Sequence, residues 1–105
     1  MGPADDVDTD LVASEARRHP AIEDFVLWLT VERGRSSNTL AAYGRDLARY
    51  QAHLTRRGVD PLTATDEDVL AFVHVLQGEG LAPSSVTRTL VAVRGLHRFL
   101  VADEI

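Results

Sequence analysis

The sequence predicts an all-α protein, a four-helix orthogonal bundle, on three observations. Apolar residues recur at steps of three and four in four separate segments. A glycine, a proline or a Ser/Thr cap punctuates each segment. No segment alternates with period two, and no strand pair is flanked by hairpin signals.

The first helix starts at about Pro20, where Ile22, Phe25, Val26 and Leu29 make one apolar face with Trp28 on its flank, and it ends at Gly34. The second follows a Ser36-Ser37-Asn38 cap and spans roughly 38 to 57, with Leu40, Tyr43, Leu47, Tyr50 and Leu54 as its seam and Gly58 as its stop. Val59-Asp60-Pro61-Leu62 reads as a turn. Thr65 then caps a third helix whose first turn holds Asp66, Glu67 and Asp68, acids that a helix N-terminus favours. Its apolar residues Val69, Leu70, Phe72, Val73, Val75 and Leu76 surround most of the axis, so it is expected to be the most buried element, ending at Gly78-Glu79-Gly80. The fourth runs from about Pro83 to 102, with Val86, Leu90, Val93, Leu96 and Leu100 on its core face.

At 105 residues and 45% apolar content the chain is one domain with a modest core. Residues 1–19 read as an acidic disordered leader and 20–105 as the folded domain. The stop at Asp103-Glu104-Ile105, directly after a long helix, reads as a cut at a domain boundary within a larger parent. Absence of cysteine excludes disulfides and thiolate metal sites. No run approaches the ~18 apolar residues of a membrane span, and the Asp-rich start lacks the basic opening of a secretory signal, so a soluble cytoplasmic domain is expected.

The net charge of −5 is unevenly spread. Residues 1–32 carry eight acids against Arg17 and Arg18, a net of −6, whereas residues 33–105 hold nine arginines against eight acids. Every basic residue is arginine, which suits bidentate contact with phosphate or guanine and equally reflects a GC-rich genome. On the second helix, Asn38, Ala42, Arg45, Arg49, Ala52 and Arg56 cluster opposite the leucine seam. Small Ala41 and Ala42 allow close backbone approach, while Ser37 or Asn38 caps the helix and free N–H groups face an anion. On the fourth helix, Ser84, Thr87, Arg88, Val91, Arg94, Gly95 and Arg98 share an arc of roughly 120° that no acid of that helix interrupts. Two such stripes point to nucleic acid; the bland alternative for each is an ordinary solvated face.

His97 falls on the core side of its helix and reads as a packed residue. His19, His53 and His74 have no carboxylate at metal-ligand spacing, so no metal and no cofactor are called for. Phe25, Trp28, Phe72 and Phe99 read as core, and Tyr43 and Tyr50 as seam residues with the phenol tip near the surface. No phosphate loop, nucleophile set or carboxylate pair is legible, so no enzymatic activity is expected of this segment alone.

Asn38-Thr39-Leu40, Tyr43, Asp46-Leu47 and Leu90-x-x-Val93-Arg94 carry a resemblance to the N-terminal core-binding domain of tyrosine recombinases, the Xer-type enzymes and phage integrases above all. It covers about residues 20 to 103 and implies an integrase SAM-like bundle forming one half of a clamp around a recombination site, with double-stranded DNA and further recombinase protomers in a tetramer as partners. By position, Asn38, Thr39, Ala41, Ala42 and Arg45 then match the DNA-facing start of the second helix, to which the cap and the stripe add Ser37 and Arg49. Ser84, Ser85 and Arg88 match the DNA-facing start of the fourth, with Thr87, Arg94 and Arg98 extending its stripe. The family's catalytic arginines, histidines and nucleophilic tyrosine lie in a C-terminal domain, so neither Tyr43 nor Tyr50 takes that role. The resemblance calls for no membrane and no small-molecule substrate. The rival is a protein-interaction bundle docking through its acidic first helix; a helix-turn-helix regulator fits the Gly58 to Thr65 connection poorly.

Overall fold

The computed structural model describes residues 18–32 and 34–103. Within them lie four helices: α1 (Pro20–Glu32), α2 (Ser37–Arg57), α3 (Asp66–Gly78) and α4 (Pro83–Asp103). Residues 1–17 of the expected leader lie outside the described residues, but Arg18 and His19 touch the bundle. The His19 carbonyl accepts the N–H groups of Ile22 and Glu23 at 2.9 and 3.0 Å. Its Nδ1 accepts the Ala21 N–H at 3.0 Å, and its Nε2 donates to Asp60 Oδ2 at 3.2 Å. Its own N–H donates to Gln51 Oε1 at 2.9 Å. One residue thus caps α1 and ties it to α2 and to the turn after α2. Pro20, whose missing N–H is no loss at a first helical position, follows directly.

Ser36, rather than Ser37 or Asn38, caps α2: its backbone is extended and its Oγ accepts the Thr39 N–H at 3.3 Å. The helix therefore opens one residue before the expected boundary. Gly58 ends it at φ 70°, a left-handed conformation that glycine adopts without penalty, and Val59 donates back to the Leu54 carbonyl at 2.9 Å. Asp60 builds the turn by accepting the Leu62 N–H at 2.8 Å on Oδ1. Thr65 caps α3 through a reciprocal box with Asp68, whose Oδ2 accepts the Thr65 N–H at 2.9 Å while Thr65 Oγ1 accepts from Asp68.

The core lies between α2 and α4 and is closed by the other two helices. Leu47, Tyr50 and Leu54 of α2 and Val93 and Leu96 of α4 are wholly buried, with Ile22, Phe25 and Leu29 of α1 and Phe72 and Leu76 of α3 around them. Two expectations are overturned. Helix α3 is not the most buried element, because its ring of apolar residues exceeds the surface its neighbours cover: Leu70 stays 55% exposed and Val75 stands at 36%. On α4, Leu90 is half-buried and Thr89 occupies the core beside it. Thr89 tolerates this because its hydroxyl donates to the Ser85 carbonyl one turn back, at 2.9 Å, and leaves no polar atom unpaired.

Gly95, read from sequence as part of an exposed stripe, faces α1. A Cβ there would stand 3.1 Å from Phe25 Cζ, and the Phe25 ring is held by Phe99 at 5.4 Å and Trp28 at 6.2 Å between centroids. Glycine at this position lets α1 and α4 approach. Tyr50 also departs from expectation. Its phenol is not near the surface but wholly buried, 2.6 Å from His97 Nε2. That separation is shorter than N–H donors give, so Tyr50 donates its proton to the imidazole. Burial, and then the nearby Asp68 carboxylate, push the Tyr50 pKa far above the usual phenol range. His97 is thus a packed residue, as the sequence predicts, with a polar tie to α2.

Burial holds the pKa of His97 below the ordinary histidine range. Burial, reinforced by Arg57 and Arg56, does the same for His53, which packs on Phe72 and has no hydrogen-bond partner for its buried Nε2. Both rings bind protons more weakly folded than unfolded. As pH falls through about 6.5 the unfolded chain takes up protons first, so stability drops with falling pH in that window. Asp60 and Asp68 lie below the carboxylate range because each accepts a backbone N–H; their contribution is lost lower, as pH falls from about 3.9. Thermal melts at pH 7.5 and pH 5.5 are expected to show a lower midpoint in acid, and replacing His53 with glutamine should flatten that difference. Replacing Gly95 with valine should cost about 1–3 kcal/mol by overpacking against Phe25, measurable by urea unfolding.

Candidate nucleic-acid interface

Apart from Gly95, both predicted stripes lie on the outside or at the margin of the bundle. On α2, Ser37, Asn38, Ala41, Arg45 and Arg49 are exposed, and Thr39 and Ala42 are half-buried at the margin. On α4, Ser84, Thr87, Arg88, Arg94 and Arg98 are exposed and Ser85 is half-buried. These faces are polar because the opposite faces are spent on the core. The apolar residues of α2 recur every three or four positions, which leaves residues 38, 42, 45, 49, 52 and 56 pointing away.

What joins the stripes is a contact absent from the expected site. Arg88 Nε donates to Asp46 Oδ2 at 2.8 Å and Arg88 Nη2 donates to Asp46 Oδ1 at 2.9 Å, a bidentate bridge between α4 and α2. The Asp46 side chain is 4% exposed and that of Arg88 is 44% exposed, so the guanidinium covers the carboxylate. Hydrogen bonding to the Asp46 carboxylate raises the Arg88 pKa further above its already high value. Asp46 is the only acid of α2 and lies one turn from Ala42 (i−4) and Arg49 (i+3). A lone acid in a basic helix, one position before the buried Leu47, is the sequence signal that could have found it.

The α4 stripe is therefore free of acids only along its own helix. Asp46 reaches its first half from α2. Arg94, His97 and Arg98 line a cleft of about 590 Å³ together with Thr65 and Asp66 at the start of α3. Arg94 and Arg98 stand roughly 9–15 Å along the helix from Arg88, at 1.5 Å per residue, so the structure divides the stripe into a half beside α2 and a half beside α3. Arg98 also borders a groove of about 520 Å³ walled by Phe25, Trp28, Tyr43 and Phe99. Among the described residues, Arg18 pairs with Glu23, Arg57 with Asp68 and Arg88 with Asp46, whereas Arg45, Arg49, Arg94 and Arg98 enter no ion pair. No group of His, Cys, Asp and Glu suited to a metal occurs among the described residues. No helix among them is long and apolar enough to cross a membrane.

An exposed pair of arginine-bearing helices, bridged through the aspartate of an Asp-Leu mark, is the context in which comparison with known proteins is informative. The model of the phage integrase N-terminal SAM-like domain matches residues 22–104. The chain belongs to this family. Relatives of this SAM-like domain include the tyrosine recombinase XerD of Chlorobaculum tepidum, 40% identical over 84 residues, which cover 80% of this chain and 28% of that protein. XerD of Mycobacterium tuberculosis is 42% identical over 90 residues, covering 78% of this chain and 29% of the relative. XerD of Listeria monocytogenes is 38% identical over 84 residues, 78% of this chain and 28% of the relative. The SAM-like chain thus spans less than a third of the length of the curated relatives it matches, and the Xer-type resemblance read from its sequence rests on these proteins as well. No solved structure matches the chain.

The bridge has a consequence for mutagenesis of this SAM-like domain. Removing Arg88 leaves the buried Asp46 carboxylate without its partner. Because Arg88 is half in solvent, the cost falls between that of an exposed pair and that of a fully buried one. Arg88→Ala is expected to lower folding stability by about 1–3 kcal/mol in urea unfolding, and Asp46→Asn by less, since the amide oxygen still accepts one N–H.

Proposed function

We propose that this chain is the DNA-binding N-terminal domain of a site-specific tyrosine recombinase, clamping double-stranded DNA through α2 and α4. The observation that carries this reading is the segregation of arginines. Those with partners are used inside the bundle or at its joints, while Arg45 and Arg49 on α2 and Arg94 and Arg98 on α4 keep their charge for an anionic partner. Ser37, Asn38 and Thr39 at the start of α2, and Ser84, Ser85 and Thr87 in the first turns of α4, add hydroxyl, amide and N–H donors of the kind that position a protein on phosphates. Ala41 and Ala42 let the backbone come close.

In this reading the parent enzyme cuts and rejoins DNA with residues of a C-terminal domain, and the protomers act as a tetramer on DNA, in chromosome dimer resolution or in DNA integration. The domain itself supplies grip and register and needs no cofactor. A cytoplasmic location follows from that role. A second reading, docking of a protein partner through the acidic first helix, has support in Leu27 and Val31 of α1, which are 60% and 69% exposed beside Glu23 and Asp24.

The two readings separate in an NMR titration of the labelled domain with a short duplex carrying a Xer-type half-site. Shifts at residues 36–49 and 84–98 that fade as salt rises are expected, and their absence at concentrations where weak complexes form would favour docking through α1. If four to six phosphates are contacted, log affinity should fall with log salt at a slope of roughly −4 to −5, and a slope near zero contradicts the clamp.

A further inference from the structure

We infer that Asp46 is a positioning residue for base recognition: by holding one side of the Arg88 guanidinium, it presents the free end of that fork, in a fixed orientation, to a guanine in the major groove. The inference rests on the DNA-clamp reading above.

A guanidinium has five N–H groups in one plane. Asp46 takes the Nε side, using Nε–H and one proton of Nη2, at 2.8 and 2.9 Å. The edge left over is the end of the fork, one N–H from each Nη, and that pair matches the N7 and O6 acceptors of guanine. Two parallel bonds to a buried carboxylate stop rotation about the last side-chain bonds, so Arg88 meets its target without first being ordered. Arg45 and Arg49, one turn apart on the neighbouring face and without ion pairs, stay adaptable as phosphate contacts should.

Stability alone gives little reason for the pair, because an exposed ion pair contributes little and a buried one is often replaceable by apolar side chains, and this half-buried pair lies between the two. An acid bordering a face meant for a polyanion also carries a repulsive cost. Both costs become intelligible if the carboxylate exists to aim the arginine.

The test selects bound sequences from a pool of randomised duplexes with the wild-type domain, Asp46→Asn, Arg88→Lys and the double variant, each checked for folding by its amide spectrum. Wild type should enrich a guanine at one position. Each single variant should lose preference for that guanine by roughly tenfold while keeping the rest of the motif and the salt slope, and the double variant should lose nothing more. If Asp46 only stabilises the fold, Asp46→Asn weakens all sequences in parallel and the guanine preference survives, which overturns the inference. Salt-dependent binding by wild type with no guanine preference also overturns it but leaves the clamp standing. No salt-dependent binding removes the clamp itself.

A measurement on wild type alone guards against variants that fail to fold. When the selected duplex is added, the Arg88 Nη signals should move while the Nε–H signal, held by Asp46, stays. Movement or loss of Nε–H would mean that the pair opens on binding, and the inference fails.

Discussion

The bundle depends on how α2 is held to α4. The seam between them is apolar in the middle, where Leu47, Leu54, Val93 and Leu96 are wholly buried, and such burial contributes roughly 1.5–3 kcal/mol per large side chain. Apolar packing is tolerant of small slips along the seam. The polar ties are not. Asp46–Arg88 links the pair toward the start of α4, and Tyr50–His97 links it two turns on. Since each tie joins residues more than forty positions apart in the chain, each specifies register between helices as well as adding energy. The remaining helices depend on that pair: α1 is pinned by His19 and by the Gly95–Phe25 contact, α3 by the Arg57–Asp68 pair and by Phe72.

Most of the fold was legible because its punctuation is local. Caps, glycine stops and the Asp60 turn act within four residues of themselves, and the structure has them at or within two residues of where the pattern put them. What stayed hidden depends on distant neighbours. The exposure of α3 could not be read, because a ring of apolar residues does not say how many helices surround it. Tyr50 lost its surface position to His97, 47 residues later. Gly95 looked like part of an exposed stripe and proved to be the room that Phe25 needs.

The candidate site divides in the same way. The two arginine stripes follow from helical periodicity and stand exposed as that geometry requires. Their relation to each other does not follow, because it is made by Asp46, whose significance lies in a partner 42 residues away. The sequence marks Asp46-Leu47 only as part of a family resemblance. The geometry supplies a physical reason for the aspartate: it is the one acidic residue of α2 and it is consumed by the join. The stripe on α4 is correspondingly less uniform than it looks on a helical wheel, with one half beside α2 and the other beside the acidic start of α3.

On the DNA-clamp reading, the uneven placement of charge also governs encounter. A chain with net charge −5 is repelled by a polyanion over most angles of approach and drawn in only where unpaired arginines lead. Repulsion by the whole molecule acts from farther away than attraction by a small patch, and both are cut off beyond a screening length of about 10 Å at 0.1 M salt. Capture is then a matter of orientation as much as of strength. The same asymmetry makes the wrong faces of the domain poor at lingering on nucleic acid.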